Sequence, residues 1–147
     1  MSEGLRARIT AAKQRGEFTA LVAEIPYAGF LGVSLRLEHD VLVGEMPFAP
    51  RNVGNAALPA LHGGTIAALL ELTAAFELLL RTEAPVLPKT ISSTFEYLRS
   101  GKPQTTFAAA EIVRAGRRVA PVRVHAWQED RARPIAAATI HFLLGAR

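Results

Sequence analysis

The chain contains no cysteine. That excludes disulfides, thiolate metal sites and a cysteine nucleophile, and it suits a reducing cytoplasm, the expected location. Aromatic residues are scarce at 7%. With the basic residues scattered, no stacking platform for single-stranded nucleic acid is evident, and no zinc-finger or helix-turn-helix spacing occurs. A nucleic-acid partner is therefore not expected. There is no Gly-x-Ser-x-Gly elbow, which disfavours an α/β serine hydrolase. There is no Gly-x-x-x-x-Gly-Lys run, which disfavours nucleotide hydrolysis. No two of the four histidines have helical metal spacing, so no metal site is expected. Charges recur from Glu3 to Glu17 with no apolar stretch between, so no signal peptide is expected. The longest apolar run, Thr65 to Leu80, is broken by Glu71 and Glu77 and is too short to predict a membrane span.

What is present is ample apolar material. Half of the 147 residues are hydrophobic, enough for the core of a single domain over 1–147, with residues 1–24 as an N-terminal helical extension. The net charge of +4 favours an anionic partner, and a phosphorylated small ligand fits better than a polymer.

Leu5, Ile9 and Ala12 share one helical face, which predicts a short amphipathic helix over Leu5–Gln14. The stretch Ile25–Gly32, punctuated by Pro26, Gly29 and Gly32, reads as an apolar loop. Val33–Glu38 and Val41–Met46, joined by His39-Asp40, read as a β-hairpin, and Phe48–Leu61 as a loop. A long helix follows over Gly64–Arg81, then a loop over Thr82–Pro88. From there the period becomes two. Strands are predicted over Thr90–Leu98, with Ile91, Phe95 and Tyr97 on one face, and over Thr105–Arg114, Arg117–Gln128 and Pro134–Leu144. Ala115-Gly116 reads as a tight turn, and Pro121 implies a bulge or an edge. The fold class is α+β, an antiparallel sheet with one dominant helix. A helix that is apolar nearly all round needs cover on most sides, which a strongly curved sheet would supply.

The chemistry concentrates in His62-Gly63-Gly64 and the helix it opens. The first amides of a helix lack intrahelical acceptors, and the positive end of the dipole lies there, so glycines at this place offer N–H groups to an anion or a developing oxyanion. Glu71 stands seven residues after Gly64, nearly two turns on and on the same face. Its neighbours on that face, Ala67, Ala68, Ala74 and Ala75, are all small, leaving a groove or room for another chain. A carboxylate in so apolar a helix is costly to bury without a partner or a purpose. Taken alone, His-Gly-Gly is more often only a turn, and Glu71 a solvent-facing interruption. His39, His125 and His141 read as surface or satisfied histidines, and Trp127 as packing.

The wider pattern resembles the hot-dog-fold acyl-CoA thioesterases of the PaaI-like type. There a loop amide precedes His-Gly-Gly, a central helix carries Asp or Glu nine residues after the His, and four antiparallel strands follow. His62 and Glu71 have that spacing. Thr94–Gly101 with Tyr97-Leu98-Arg99, the turn Arg114–Arg118 and the stretch Ile135–Phe142 resemble later parts of the family in the same order.

The resemblance implies a curved sheet wrapped around the helix, thioester hydrolysis to a free acid and coenzyme A, and no cofactor beyond the coenzyme A of the substrate. It implies that the Gly63 N–H polarises the carbonyl and that Gly64 admits the substrate. Glu71 would be general base or nucleophile, and His62 would orient the loop. The family's loop amide stands six residues before the His. Here that residue is Ala56, leaving Asn55, or Asn52 in its place. The family also implies a homodimer, or a dimer of dimers, with Glu71 facing the partner and a partner Ser92 or Ser93 holding the water or carboxylate. Arg99, Lys102, Arg114, Arg117 and Arg118 are candidates for the phosphates of coenzyme A, though each is equally an ordinary turn charge. Tyr27–Leu31, Phe76 and the loop after Leu80 are candidates for the acyl pocket. Two other readings stay open: a non-catalytic acyl-CoA binding module that would not need Glu71, and a 3-hydroxyacyl thioester dehydratase, whose His-Phe-Pro-Gly pattern is missing.

Overall fold

The structure is a computed structural model that describes residues 3–83 and 87–144. Helix α1 (Glu3–Arg15), α2 (Thr19–Val22) and α3 (Pro26–Leu31) precede the hairpin of β1 (Ser34–Glu38) and β2 (Val41–Met46). A 3-10 turn (Pro50–Asn52) and a small hairpin, β3 (Val53–Asn55) with β4 (Ala60–Leu61), lead into α4 (Gly63–Arg81). Strands β5 (Lys89–Tyr97), β6 (Thr106–Ile112), β7 (Val119–Trp127) and β8 (Ala136–Leu143) complete the chain. Six strands form one antiparallel sheet in the order β1-β2-β6-β7-β8-β5.

The sheet wraps α4. Leu69, Leu70, Phe76, Leu78 and Leu79 are buried against Leu35, Leu42, Val122, Ile140 and Phe142 in a core that also takes Ile9, Phe18 and Val22 from the N-terminal segment. Each such aliphatic or aromatic side chain contributes about 1.5–3 kcal/mol. Helix and sheet approach closely at Gly44 of β2, where an added Cβ would lie 2.3 Å from Thr73 Oγ1 and 3.2 Å from Leu69 Cδ1. By composition α4 is apolar and long enough to cross a membrane, but here it is the core helix.

The two edges of the sheet differ. Residues 16–18 cover β1: Phe18 N–H donates to the Leu35 carbonyl and Leu37 N–H to that of Gly16. At the other edge β5, nine residues long, pairs among the described residues with β8 alone.

Several expectations need correction. Ile25–Gly32 is not a loop but contains α3, because Pro26 sits in the first turn, where its missing N–H costs nothing, and Gly32 takes the left-handed C-cap at φ 71°. The Phe48–Leu61 segment is a 3-10 turn and hairpin, not an irregular loop. Ile91 does not share a face with Phe95 and Tyr97: the register shifts between Thr90 and Ser92, so Thr90, Ser93, Phe95 and Tyr97 lie on the helix side. Pro121 marks neither bulge nor edge. It lies in the interior strand β7 with unbroken register. Its carbonyl accepts from Val113 N–H, so its missing N–H falls where the β6 ladder has already ended. Ala115-Gly116 is part of a longer connection, 113–118, and not a tight turn. Residues 84–86 of the Thr82–Pro88 loop lie outside the described residues.

Candidate active site

The start of α4 is clamped from three sides. Leu61 N–H donates to the Gly101 carbonyl at 2.9 Å and His62 N–H to the Asn52 carbonyl at 2.7 Å. Gly54 makes the second contact possible, since a Cβ there would lie 2.7 Å from His62 Cα. His62 is the N-cap. Its Nδ1 accepts from Gly64 N–H at 2.9 Å, the usual partner of a capping side chain, and its carbonyl accepts from the Thr65 hydroxyl at 2.7 Å. The third clamp is Tyr97, whose hydroxyl donates to the Gly63 carbonyl at 3.0 Å.

Both glycines are explained by this geometry. A Cβ on Gly63 would lie 3.0 Å from the Tyr97 ring, and one on Gly64 2.9 Å from His62 Nδ1. The expectation that both first amides stand open is therefore corrected: the Gly64 amide is engaged by His62. The Gly63 amide, first of the helix, has no acceptor within it.

Glu71 is half-buried, and its Oε1 accepts from Thr90 Oγ1 at 2.9 Å. Ala74 and Ala75 are buried in the core, while Ala67 and Ala68 are half-buried, so the open part of this face runs from Gly64 to Glu71. The second acidic residue of the helix has a different environment. Glu77 is only 7% exposed and accepts from Arg81 Nε at 2.8 Å. Arg81 Nη1 also meets Asp40 Oδ1 at 3.0 Å, and Nη2 donates to the Asp40 carbonyl. Burial pushes the Glu77 carboxyl above its usual range, with Arg81 opposing.

The loop amides separate sharply. Asn55 is exposed, and its Oδ1 accepts from the N–H groups of Ala57 and Leu58 at 3.1 and 3.3 Å. That is a local turn motif, so its side chain is committed to its own loop. Asn52 is 1% exposed, and among the described residues neither Oδ1 nor Nδ2 has a hydrogen-bond partner. A buried amide with both ends unmatched is rare and costly.

Ser93 stands opposite Ile140 on the helix side of β5. Ser92 stands opposite His141 on the outer side, its Oγ 3.4 Å from His141 Nδ1. The cations form two groups at opposite ends of the sheet. Arg99 donates to the Pro134 carbonyl at 2.6 Å, and Lys102 meets Glu129 at 3.4 Å. Both line a depression of about 290 Å³ with Arg133. Arg114, Arg117 and Arg118 are exposed in the 113–118 connection, the length of β6 away, about 23 Å at strand rise.

Phe76 does not line an acyl pocket: it is 1% exposed and packs on Phe18 with ring centroids 5.6 Å apart. Tyr27 and Phe30 of α3 are exposed and stacked, with Arg51 over the Phe30 ring at 4.5 Å. His125 lies on the outer face beside Trp127 and Arg131. Burial, and then the Arg131 charge, hold its pKa below the usual imidazole value. Among the described residues no three metal-ligating side chains come together.

Sequence reasoning missed Thr90 and Tyr97 as members of the site. Their only signal was the position of a hydroxyl at each end of the strand that follows the helix.

A family model described as "Acyl-CoA thioesterase N-terminal domain" matches residues 50–143, from the 3-10 turn to the end of β8. The chain belongs to the acyl-CoA thioesterase family. A relative in this family, the medium/long-chain acyl-CoA thioesterase YigI of Escherichia coli strain K12, is 32% identical over 138 residues, covering 84% of this chain and 88% of its own. A crystal structure of a Chromobacterium violaceum protein aligns with TM-score 0.76 at 37% identity, covering 95% of this chain and 97% of that one. A Bacillus halodurans protein crystallised with CoA shares the fold at TM-score 0.71 and 21% identity, covering all of this chain and 98% of its own. The acyl-CoA thioesterase fold here is the hot-dog, its sheet curved around α4, and the chain's activity class is thioester hydrolysis.

Proposed function

We propose that the chain hydrolyses acyl-CoA at a composite site, with the Gly63 N–H polarising the thioester carbonyl and Glu71 acting on water as general base or on the carbonyl carbon as nucleophile. In the general-base form the water oxygen bonds to the carbonyl carbon, Glu71 takes its proton, the C–S bond breaks, and the thiolate of coenzyme A recovers a proton. Asn52 would hold the attacking water or the carbonyl oxygen. The observation that carries this reading is its buried, unmatched amide, one hydrogen bond from the residue preceding Gly63.

Gly63 and Glu71 of one chain are eight residues apart on one helix, about 12 Å along its axis, too far to act on the same carbonyl. The layout of β5 supports a homodimer. Tyr97 at its end touches Gly63, and Thr90 at its start touches Glu71. Two open β5 edges paired antiparallel about a two-fold axis bring Gly63 of one copy toward Thr90 and Glu71 of the other. The same pairing brings Arg99 and Lys102 toward the partner's Arg114–Arg118 group, where the phosphates of coenzyme A would lie. Ile91 and Tyr97, each 54% exposed, would be covered. Ser93, on the helix side, suits a role at that junction better than Ser92.

By extension from the YigI relatives, we take the acyl chain to be of medium or long length. A dimer of dimers, cytoplasmic location and a single domain over 1–147 complete the reading. The test is thiol release from a panel of acyl-CoAs by wild type, Glu71→Gln and Asn52→Ala. Release lost in both variants supports the proposal, and tight binding without turnover by wild type overturns it in favour of a binding module.

A further inference from the structure

Two contacts at the start of α4 form a chain through one peptide unit. The Tyr97 hydroxyl donates to the Gly63 carbonyl at 3.0 Å, and the N–H of the same peptide, that of Gly64, donates to His62 Nδ1 at 2.9 Å. A hydrogen bond accepted at a peptide oxygen strengthens that peptide's N–H as a donor, so the two bonds reinforce each other. A neutral imidazole that accepts at Nδ1 carries its proton on Nε2. We infer that Tyr97 is a positioning residue, which acts through the Gly63–Gly64 peptide to fix His62 in the Nε2–H tautomer and so to present a second N–H donor beside the Gly63 amide.

The packing supports this assignment. A Cβ at residue 63 would lie 3.0 Å from Tyr97 Cε1 and Cζ and 3.2 Å from Oη, so the absence of a side chain there lets the ring and hydroxyl reach the peptide. In the single chain Tyr97 stands 54% exposed at the end of an edge strand, and its hydroxyl is turned to the Gly63 carbonyl. His62 is itself exposed, so an Nε2–H donor can reach a ligand. With the Gly63 amide it would give two donors for one developing oxyanion. The kinetic consequence rests on the reading of this helix start as the thioesterase site. The tautomer does not.

The test uses the full-length protein labelled with ¹⁵N. Long-range ¹H–¹⁵N spectra identify the His62 ring by its loss in His62→Gln, at a pH where the imidazole is neutral. Wild type is expected to show a protonated Nε2 and a hydrogen-bonded, unprotonated Nδ1. Tyr97→Phe keeps the ring against Gly63 but removes the donor. It is expected to shift the Nδ1 resonance and admit the Nδ1–H tautomer, and to lower kcat about fivefold, the scale of one neutral hydrogen bond, with KM unchanged. An unchanged His62 tautomer in Tyr97→Phe overturns the inference whatever happens to kcat. If wild type hydrolyses no acyl-CoA, the proposed function falls, and the spectra still decide the role of Tyr97.

Discussion

Thr90 Oγ1 donates to Glu71 Oε1 at 2.9 Å, joining the start of β5 to the middle of α4. The bond holds one carboxylate oxygen and so directs the other. Thr90→Val removes it with little change of volume. A hydrogen bond to a charged group is worth about 1.5–3 kcal/mol, so kcat for acyl-CoA hydrolysis is expected to fall roughly ten- to hundredfold, with Thr90→Ser recovering most of it. Equal rates for Thr90→Val and wild type would remove Thr90 from the site.

The two loop asparagines should respond in opposite ways. Asn52→Leu replaces two unmatched buried polar atoms with apolar ones. Such exchanges are neutral or stabilising, so the melting temperature is expected to hold or rise while hydrolysis is lost. Asn55→Ala breaks the turn to Ala57 and Leu58 and should cost stability by about 0.5–1 kcal/mol while leaving most of the activity. Thermal melts and thiol-release assays on both variants check this.

A composite site can be tested by mixing two dead variants. Glu71→Gln removes the carboxylate. Gly63→Pro removes the N–H at the first helical position, where proline is tolerated, and adds a ring whose Cβ would lie 3.0 Å from the Tyr97 ring; His62 already has extended backbone at φ −66°, ψ 129°, as a residue before proline requires. If each site takes Gly63 from one copy and Glu71 from the other, a refolded equal mixture regains about a quarter of wild-type activity, since half the dimers are mixed and each carries one intact site. A mixture as inactive as its parents would place both groups in one chain's site.

Glu77 predicts a pH dependence of stability. Its carboxyl is raised by burial, so the folded state holds the proton more tightly than the unfolded chain. The stability it confers is fully present below the unfolded carboxylate value, about pH 4, and is lost as pH rises through the higher folded value. Glu77→Gln should flatten this part of the curve of unfolding free energy against pH. Arg81→Ala should steepen it and cost about 2 kcal/mol at neutral pH, less than for a fully buried pair, because the Arg81 side chain is 33% exposed. Denaturant melts across pH check both.

The helix, its carboxylate and the four later strands were legible because each rests on a local pattern: the His62–Glu71 spacing, an apolar run of helical length, then alternation. Helix α3 was hidden by Pro26, Gly29 and Gly32, which read as breakers although one stands in the first turn and another at the C-cap. The choice between Asn52 and Asn55 was not legible, because a 3-10 turn three residues long decides which amide faces inward. Thr90 and Tyr97 escaped because their partners are 19 and 34 residues away, and a bulge at Ile91 changes which side of β5 each residue serves. The phosphate-binding candidates could be placed on turns but not grouped, since grouping depends on sheet order and on a second copy.

The close passage of Gly44 beneath Thr73 and Leu69 acts as a key in a lock between helix and sheet. It sets the rotation of α4 about its own axis, and with it the direction in which Glu71, just over half a turn from Thr73, faces out of the wrap. A methyl group at position 44 would have to be answered by a smaller side chain at 73. Otherwise the helix would roll, carrying the carboxylate away from Thr90 and from the open edge of β5 before any residue of the site had been touched.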